Sequence, residues 1–251
     1  MLNPLPSVAS SEVIQVMTER FDQMVKPHLS IPADEIDAYA ARLTEAFSVA
    51  NVEITKPQYV VLVDRNPRVQ VAFVYFGSST EPWHLIGATP VSTGLPGQFE
   101  HFVTPLGVFD HSLLNPDFRA EGTKNENGFR GYGIKGMRVF DFGWVNAPKT
   151  WGNHAMSEMR LQMHATDPDL AEPLLGQAKS KGCVRIPATL NDFIDRFGLL
   201  DADYSKALAE GKNLWVLRKD RVLVASPGRY LVIVDSQSTA RPQWARPRSS
   251  H

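Results

Sequence analysis

Ser180-Lys181-Gly182-Cys183-Val184-Arg185-Ile186 contains the single cysteine of the 251-residue chain. Cys183 stands between a glycine and a β-prone segment, with Lys181 and Arg185 two residues away on either side. Free cysteines commonly serve as small buried hydrophobes. Flanking cations argue for something else, because positive charge stabilises a thiolate and lowers the thiol pKa. The residue type alone leaves both readings open, and the surrounding chain has to separate them.

With 43% hydrophobic residues, the chain is long enough for one large domain or a domain with a small helical addition. Its formal net charge of −1 gives no electrostatic case for nucleic acid or an anionic membrane surface. Arg241, Arg246 and Arg248, interleaved with prolines, read as a solvated tail. One cysteine excludes an intrachain disulfide and leaves the redox compartment undetermined. No apolar run approaches a membrane span, and Met1 to Ser11 lacks the basic and apolar regions of a secretory signal.

Val13, Val16, Met17, Phe21 and Met24 recur at helical spacing and predict a helix over residues 10–26, with Ser10 or Ser11 as N-cap. Ile36, Tyr39, Leu43 and Phe47 predict a second helix over residues 33–50. Residues 1–57 thus form a helical preface that either packs on the main domain or binds a partner. After Pro57 the pattern turns to strand. Residues 59–64 and 69–76 read as a hairpin around Asn66-Pro67, and residues 84–92 and 107–110 continue the sheet. Residues 113–133, dense in Asn, Gly and Pro, read as a long surface excursion. Further strands are expected at 134–142 and 159–165. In the latter, Met159, Leu161 and Met163 alternate with Arg160, Gln162 and His164, so His164 ends a strand on the face away from the methionines. Helices are expected from Pro187 to Phe197 and over 201–210, and strands at 213–218 and 230–235. The fold class is mainly β with helices, α+β, followed by a disordered tail over 236–251.

A nucleophilic thiol needs a base within reach and donors for the oxyanion formed when a carbonyl is attacked. His164, 19 positions before Cys183, is the candidate base, although a lone histidine at a strand end also has an ordinary structural reading. Backbone N–H groups at the Gly182-Cys183 turn are candidate oxyanion donors. The seven histidines include no His-Glu-x-x-His spacing, and no glycine-rich phosphate loop is present, so no metal or cofactor is expected.

His164, fifteen intervening residues and then Ser180-Lys181-Gly182-Cys183-Val184-Arg185 resemble the signature of the YkuD-type L,D-transpeptidases, which cross-link peptidoglycan. Upstream, Pro90-Val91-Ser92-Thr93-Gly94 and Thr104-Pro105-Leu106-Gly107-Val108-Phe109 resemble the family's Pro-Val-Ser-Thr-Gly and Thr-Pro-x-Gly-x-Phe blocks, in the expected order. The resemblance covers roughly residues 58–218. It implies a YkuD-like β-sandwich or barrel catalytic domain over 58–235. In that domain Cys183 would form a thioester with a stem-peptide carbonyl, and His164 would move the protons. The Ala165 carbonyl would orient the imidazole, and Gly182 and Cys183 N–H groups would hold the oxyanion. Arg185 would anchor a substrate carboxylate or brace the loop, with an internal salt bridge as the plainer alternative. Ser180, Tyr132, Trp144 and Trp151 are further candidates for contacting substrate, and each of the three aromatics has an ordinary packing role as its alternative.

One departure is Lys181, where the family has histidine. It adds a positive charge beside the thiol, which would favour the thiolate and any nearby substrate carboxylate, or else points into solvent. The Ser-Lys-Gly-Cys version resembles a proteobacterial subgroup that links the L-alanine of one stem to the diaminopimelate of another, the 1,3 type. The resemblance implies peptidoglycan stem peptides as donor and acceptor and a periplasmic location, with no nucleic acid and no membrane span. Three alternatives remain: 3,3 cross-linking, a carboxypeptidase or amino-acid exchange in which water or another amine resolves the thioester, and a catalytically silent wall-binding module.

Overall fold

The computed structural model describes residues 8–246. Its centre is β1 (Gln58–Asp64), six of whose seven residues are buried. Tyr59, Val61 and Val63 face one apolar core and Val60 and Leu62 another, so the strand reads as a continuous apolar run. β2 (Val71–Gly77) is buried throughout and pairs antiparallel with β1, Val61 opposite Val74, as the hairpin pattern predicts. β3 (His84–Pro90) extends that side. On the other side of β1, β9 (Tyr230–Val234) runs parallel, and β4 (Gly107–Asp110) forms the edge. The sheet order is β3-β2-β1-β9-β4.

A second sheet has the order β5-β6-β7-β8: Phe118–Arg119, Arg138–Pro148, Met156–Ala165 and Val184–Ile186. The first core lies between the two sheets and joins Val61 and Val74 to Phe140, Leu161, Met163 and Val184. The helices α1 (Val8–Met24) and α3 (Ala188–Phe197) complete it, with Phe21 edge-on to Phe193. Gly87 on β3 permits this approach, since a Cβ there would stand 2.1 Å from the Phe21 ring. α2 (Ala33–Val49) closes the outer face of the first sheet with Tyr39, Leu43 and Phe47. The class is α+β, two mixed sheets in a sandwich with few helices, the last being α4 (Ala202–Ala209).

Three local expectations change. α1 begins at Val8, which places Ser10 and Ser11 inside the helix instead of at its cap. Residues 213–218 form turns, because Arg119 Nε takes the Val216 carbonyl and Arg218 pairs with Asp192 and Asp220 in place of a strand partner. From Ser236 the chain does not leave the domain. Trp244 packs edge-on against Tyr39 and Phe73 at 6.1 and 6.2 Å, Ala245 is buried, and Arg241 donates to the Gly176 carbonyl at 3.1 Å. The apolar Trp244 side chain outweighs the polar character of the segment around it. Arg248 and the rest of 247–251 lie outside the described residues.

The second sheet is tied to the helices by a buried ion network. Arg138 on β6, fully buried, pairs with Asp117 at 2.6 Å, Asp195 at 3.3 Å and Asp201 at 2.7 Å. The Phe140 and Tyr204 rings stack against its guanidinium at 4.9 Å each. Removing the cation that these three buried carboxylates share leaves their charge undercompensated, at about 3–5 kcal/mol. Arg138→Leu is therefore expected to lower stability by about that amount, measured by denaturant unfolding, whereas a loss below about 1 kcal/mol would show the network to be dispensable.

Candidate active site

β7 and β8 run parallel, with Met163 opposite Val184 and His164 opposite Arg185. Cys183, one residue before β8, therefore lies beside Gln162, and His164 projects from the same face of β7 two residues on. The two residues read as a pair in the sequence are brought to adjoining positions on neighbouring strands. His164 is buried, and its Nδ1–H donates to the Ala165 carbonyl at 2.6 Å. A carbonyl can only accept, so this bond fixes the tautomer and leaves Nε2 with the lone pair. Burial depresses the imidazole pKa to about 4, opposed by the Ala165 carbonyl and reinforced by Arg185. The ring is neutral at pH 7, as a general base must be.

The loop presenting Cys183 is clamped by both upstream blocks. Ser92 exchanges backbone hydrogen bonds with Arg185 at 2.9 and 2.8 Å, and Leu95 N–H donates to the Ser180 carbonyl at 2.9 Å. Thr104 Oγ1 accepts from Gly94 N–H at 2.8 Å and donates to the Gly182 carbonyl at 2.7 Å. Gly182 has φ +132°, and a Cβ there would sit 2.9 Å from the Met159 thioether. Ser180, a candidate for contacting substrate, is buried and turned inward: its hydroxyl donates to the Cys183 carbonyl at 2.6 Å and accepts Gly182 N–H at 3.0 Å. Gly182 N–H is thereby occupied, while Cys183 N–H has no partner among the described residues.

The expected thiolate is not the resting form. Burial pushes the Cys183 thiol above its ordinary value, a nearby Asp141 adds to this, and the Gln162 N–H and Arg185 only partly oppose it. Lys181 turns outward and pairs with Glu100 at 3.1 Å, both side chains exposed. Arg185 is the cation that acts on the thiol. It donates to the Lys179 carbonyl at 3.2 Å, lies over the Phe129 ring at 5.4 Å and forms no ion pair among the described residues.

Of the candidate aromatics, Tyr132 reaches the site. Its ring meets the His164 ring edge-on at 4.7 Å, and its hydroxyl donates to Gln162 Oε1 at 3.0 Å. Burial and the neighbouring Cys183 raise its hydroxyl pKa. Tyr132 and Phe129 line a cleft of about 580 Å³ within the loop excursion. Trp144 is exposed on β6, and Trp151 packs on Phe102 at 5.0 Å beside the clamp. Asp141, Arg160 and Gln162 were not singled out in the sequence. Gln162 Nε2 and Arg160 Nε both donate to Asp141 Oδ2 at 2.8 Å, and the Cys183 thiol faces the Arg160 carbonyl at 3.7 Å. The alternation that placed His164 had already put Arg160 and Gln162 on its face.

No protein-family model matches the chain, and no curated protein matches it. Among solved structures, the helical cell shape determining protein Pgp2 from Campylobacter jejuni is similar at TM-score 0.36 and 16% identity, over 75% of this chain and 52% of that one. A lysine-to-alanine variant of the same protein gives TM-score 0.35 and 14% identity, over 93% and 58%. The chain spans between half and three-fifths of the length of these structures. No helix among the described residues is long and apolar enough to cross a membrane.

Because burial outweighs Arg185 at the thiol, alkylation of Cys183 by iodoacetamide is expected to accelerate continuously through about pH 9. A rate plateau from about pH 5 to 7, the mark of a preformed thiolate–imidazolium pair, would contradict this assignment. Thr104→Val removes both hydrogen bonds of the Thr104 hydroxyl and leaves the Gly182 carbonyl unmet. It is expected to cost about 1–3 kcal/mol in thermal unfolding.

Proposed function

We propose that this protein is a cysteine-dependent L,D-transpeptidase acting on peptidoglycan stem peptides as donor and acceptor. The observation that carries the reading is the His164 tautomer, held by the Ala165 carbonyl with Nε2 left basic, at a position adjoining Cys183. In this reading Nε2 takes the thiol proton as Sγ attacks the donor carbonyl. Cys183 N–H receives the developing oxyanion. The C–N bond then breaks, the imidazolium protonates the leaving amine, and a thioester remains. The acceptor amine loses its proton to His164 as it attacks, the S–C bond breaks, and the thiol is restored.

The Ser-Lys-Gly-Cys sequence supports a linkage from L-alanine to diaminopimelate, the 1,3 type. The substrate lies in the cell wall, so the reading places the protein in the periplasm. Muropeptides produced from defined sacculi provide the test. The wild-type protein is expected to generate dimers with the mass and fragmentation of a 1,3 link, and Cys183→Ala none, with its unfolding transition intact. His164→Ala is expected to lower kcat/KM by about 10²–10⁴. New cross-links from Cys183→Ala would end the proposal.

A further inference from the structure

The second sheet carries a feature that acid–base chemistry at Cys183 does not use. In the β6–β7 pairing Asp141 is opposite Gln162 but Trp144 is opposite Arg160, so two residues, Phe142 and Gly143, face the single Leu161. This is a β-bulge, and bulges re-aim side chains beside active sites. Gly143 takes φ +83°, where a Cβ would stand 2.6 Å from the Asn115 amide. The bulge turns Trp144 outward until it is 64% exposed, and the Arg160 guanidinium lies over its ring at 5.8 Å.

Arg160 is held at one point only. Its Nε donates to Asp141 Oδ1 and Oδ2 at 3.1 and 2.8 Å, and Asp141 is itself fixed by Gln162 and by Gly143 N–H at 2.8 Å. Both Nη groups have no partner among the described residues. The result is a partly exposed guanidinium tethered through Nε, over an exposed indole, with both Nη groups unpaired among the described residues. A planar fork so held is suited to a carboxylate. Its backbone carbonyl faces the Cys183 thiol, and it stands four residues from His164 on one face of β7, about 13 Å along the strand. Arg185 flanks the Cys183–His164 pair at the other end.

We propose that Arg160 and Trp144 form a subsite for a carboxylate of the stem peptide, on the side of the thiol away from Arg185. The proposal rests on the transpeptidase reading for the identity of the peptide. Recognition of a carboxylate is tested separately from turnover.

The test is binding by calorimetry to the full-length Cys183→Ala protein, with the tripeptide L-Ala-γ-D-Glu-diaminopimelate and its carboxamide counterpart as probes. The free-carboxylate probe is expected to bind about tenfold or more tighter than the carboxamide. Adding Arg160→Gln should erase that difference, and Arg160→Lys should restore part of it, since charge returns without the planar fork. Arg160 also neutralises Asp141, so Arg160→Gln can unfold the protein. Trp144→Ala, at an exposed ring, avoids this and should weaken the carboxylate probe about three- to tenfold while leaving the carboxamide unchanged. Equal affinity for the two probes, or a carboxylate preference that survives Trp144→Ala undiminished, overturns the subsite. Loss of cross-linking specificity is not needed for either outcome. A failed transpeptidase assay with a retained carboxylate preference would thus overturn the activity and keep the subsite.

Discussion

The hydroxyl of Thr104 holds together the two halves of the molecule where it matters for chemistry. As acceptor from Gly94 and donor to Gly182, it joins the loop leaving the first sheet to the loop feeding the second. Gly182 has a positive φ and no room for a side chain, so the turn before Cys183 is fully determined by its neighbours. A bent loop of this kind loses conformational entropy when ordered. Here that cost is offset by backbone bonds from residues 92–95 and 102, which meet the carbonyls or N–H groups of 180, 181 and 185. The outcome of the clamp is selective. Gly182 N–H is satisfied inside it, and Cys183 N–H is left over at the thiol. A buried-edge donor without a partner is unfavourable at rest and available to an incoming anion.

The same enclosure sets the electrostatics. Burial acts on thiol and imidazole in the direction of neutrality for both, raising one pKa and depressing the other to about 4. Moving the proton from Sγ to Nε2 therefore runs against both shifts, and the neutral pair is the resting form. Arg185 acts with opposite effect on the two partners, favouring the thiolate and disfavouring the imidazolium. A carboxylate bound at that guanidinium would relieve its effect on His164 and weaken its support of the thiolate.

The sequence reading was strongest where periodicity and chemistry coincide. The hairpin of β1 and β2, the α2 stripe and the Arg160/Gln162/His164 alternation all follow from local pattern, and the structure keeps them. What a linear reading misses is direction. Lys181 and Arg185 are equidistant from Cys183 in the chain, yet the positive φ at Gly182 sends Lys181 out to Glu100, while the β8 pleat keeps Arg185 beside His164. Ser180 looked like a polar group for substrate because its hydroxyl's two partners, both within three residues, are backbone atoms that only the folded loop brings into reach. The prolines and arginines around Trp244 have the composition of a tail, yet its indole meets Tyr39 on α2 and Phe73 on β2. Residues 213–218 have strand composition, but the Val216 carbonyl is taken by the Arg119 guanidinium instead of by a ladder partner.

The bulge in β6 shows why Asp141 and Arg160 escaped notice while being central to the second sheet. In a regular strand, Trp144 would take its place in the alternation, and Asp141 would be one more buried acid needing a cation. The inserted residue moves Trp144 outward and lets Asp141 collect Gly143 N–H, Gln162 and Arg160 at one point. Gln162 in turn receives the Tyr132 hydroxyl, whose ring abuts His164. One buried carboxylate therefore orients both the tyrosine beside His164 and the guanidinium beyond the thiol. Its negative charge opposes the thiolate, which Arg160, as its ion-pair partner, partly compensates. Bulge, carboxylate and guanidinium thus have to be considered as one unit, because altering any of them changes the charge felt by Cys183.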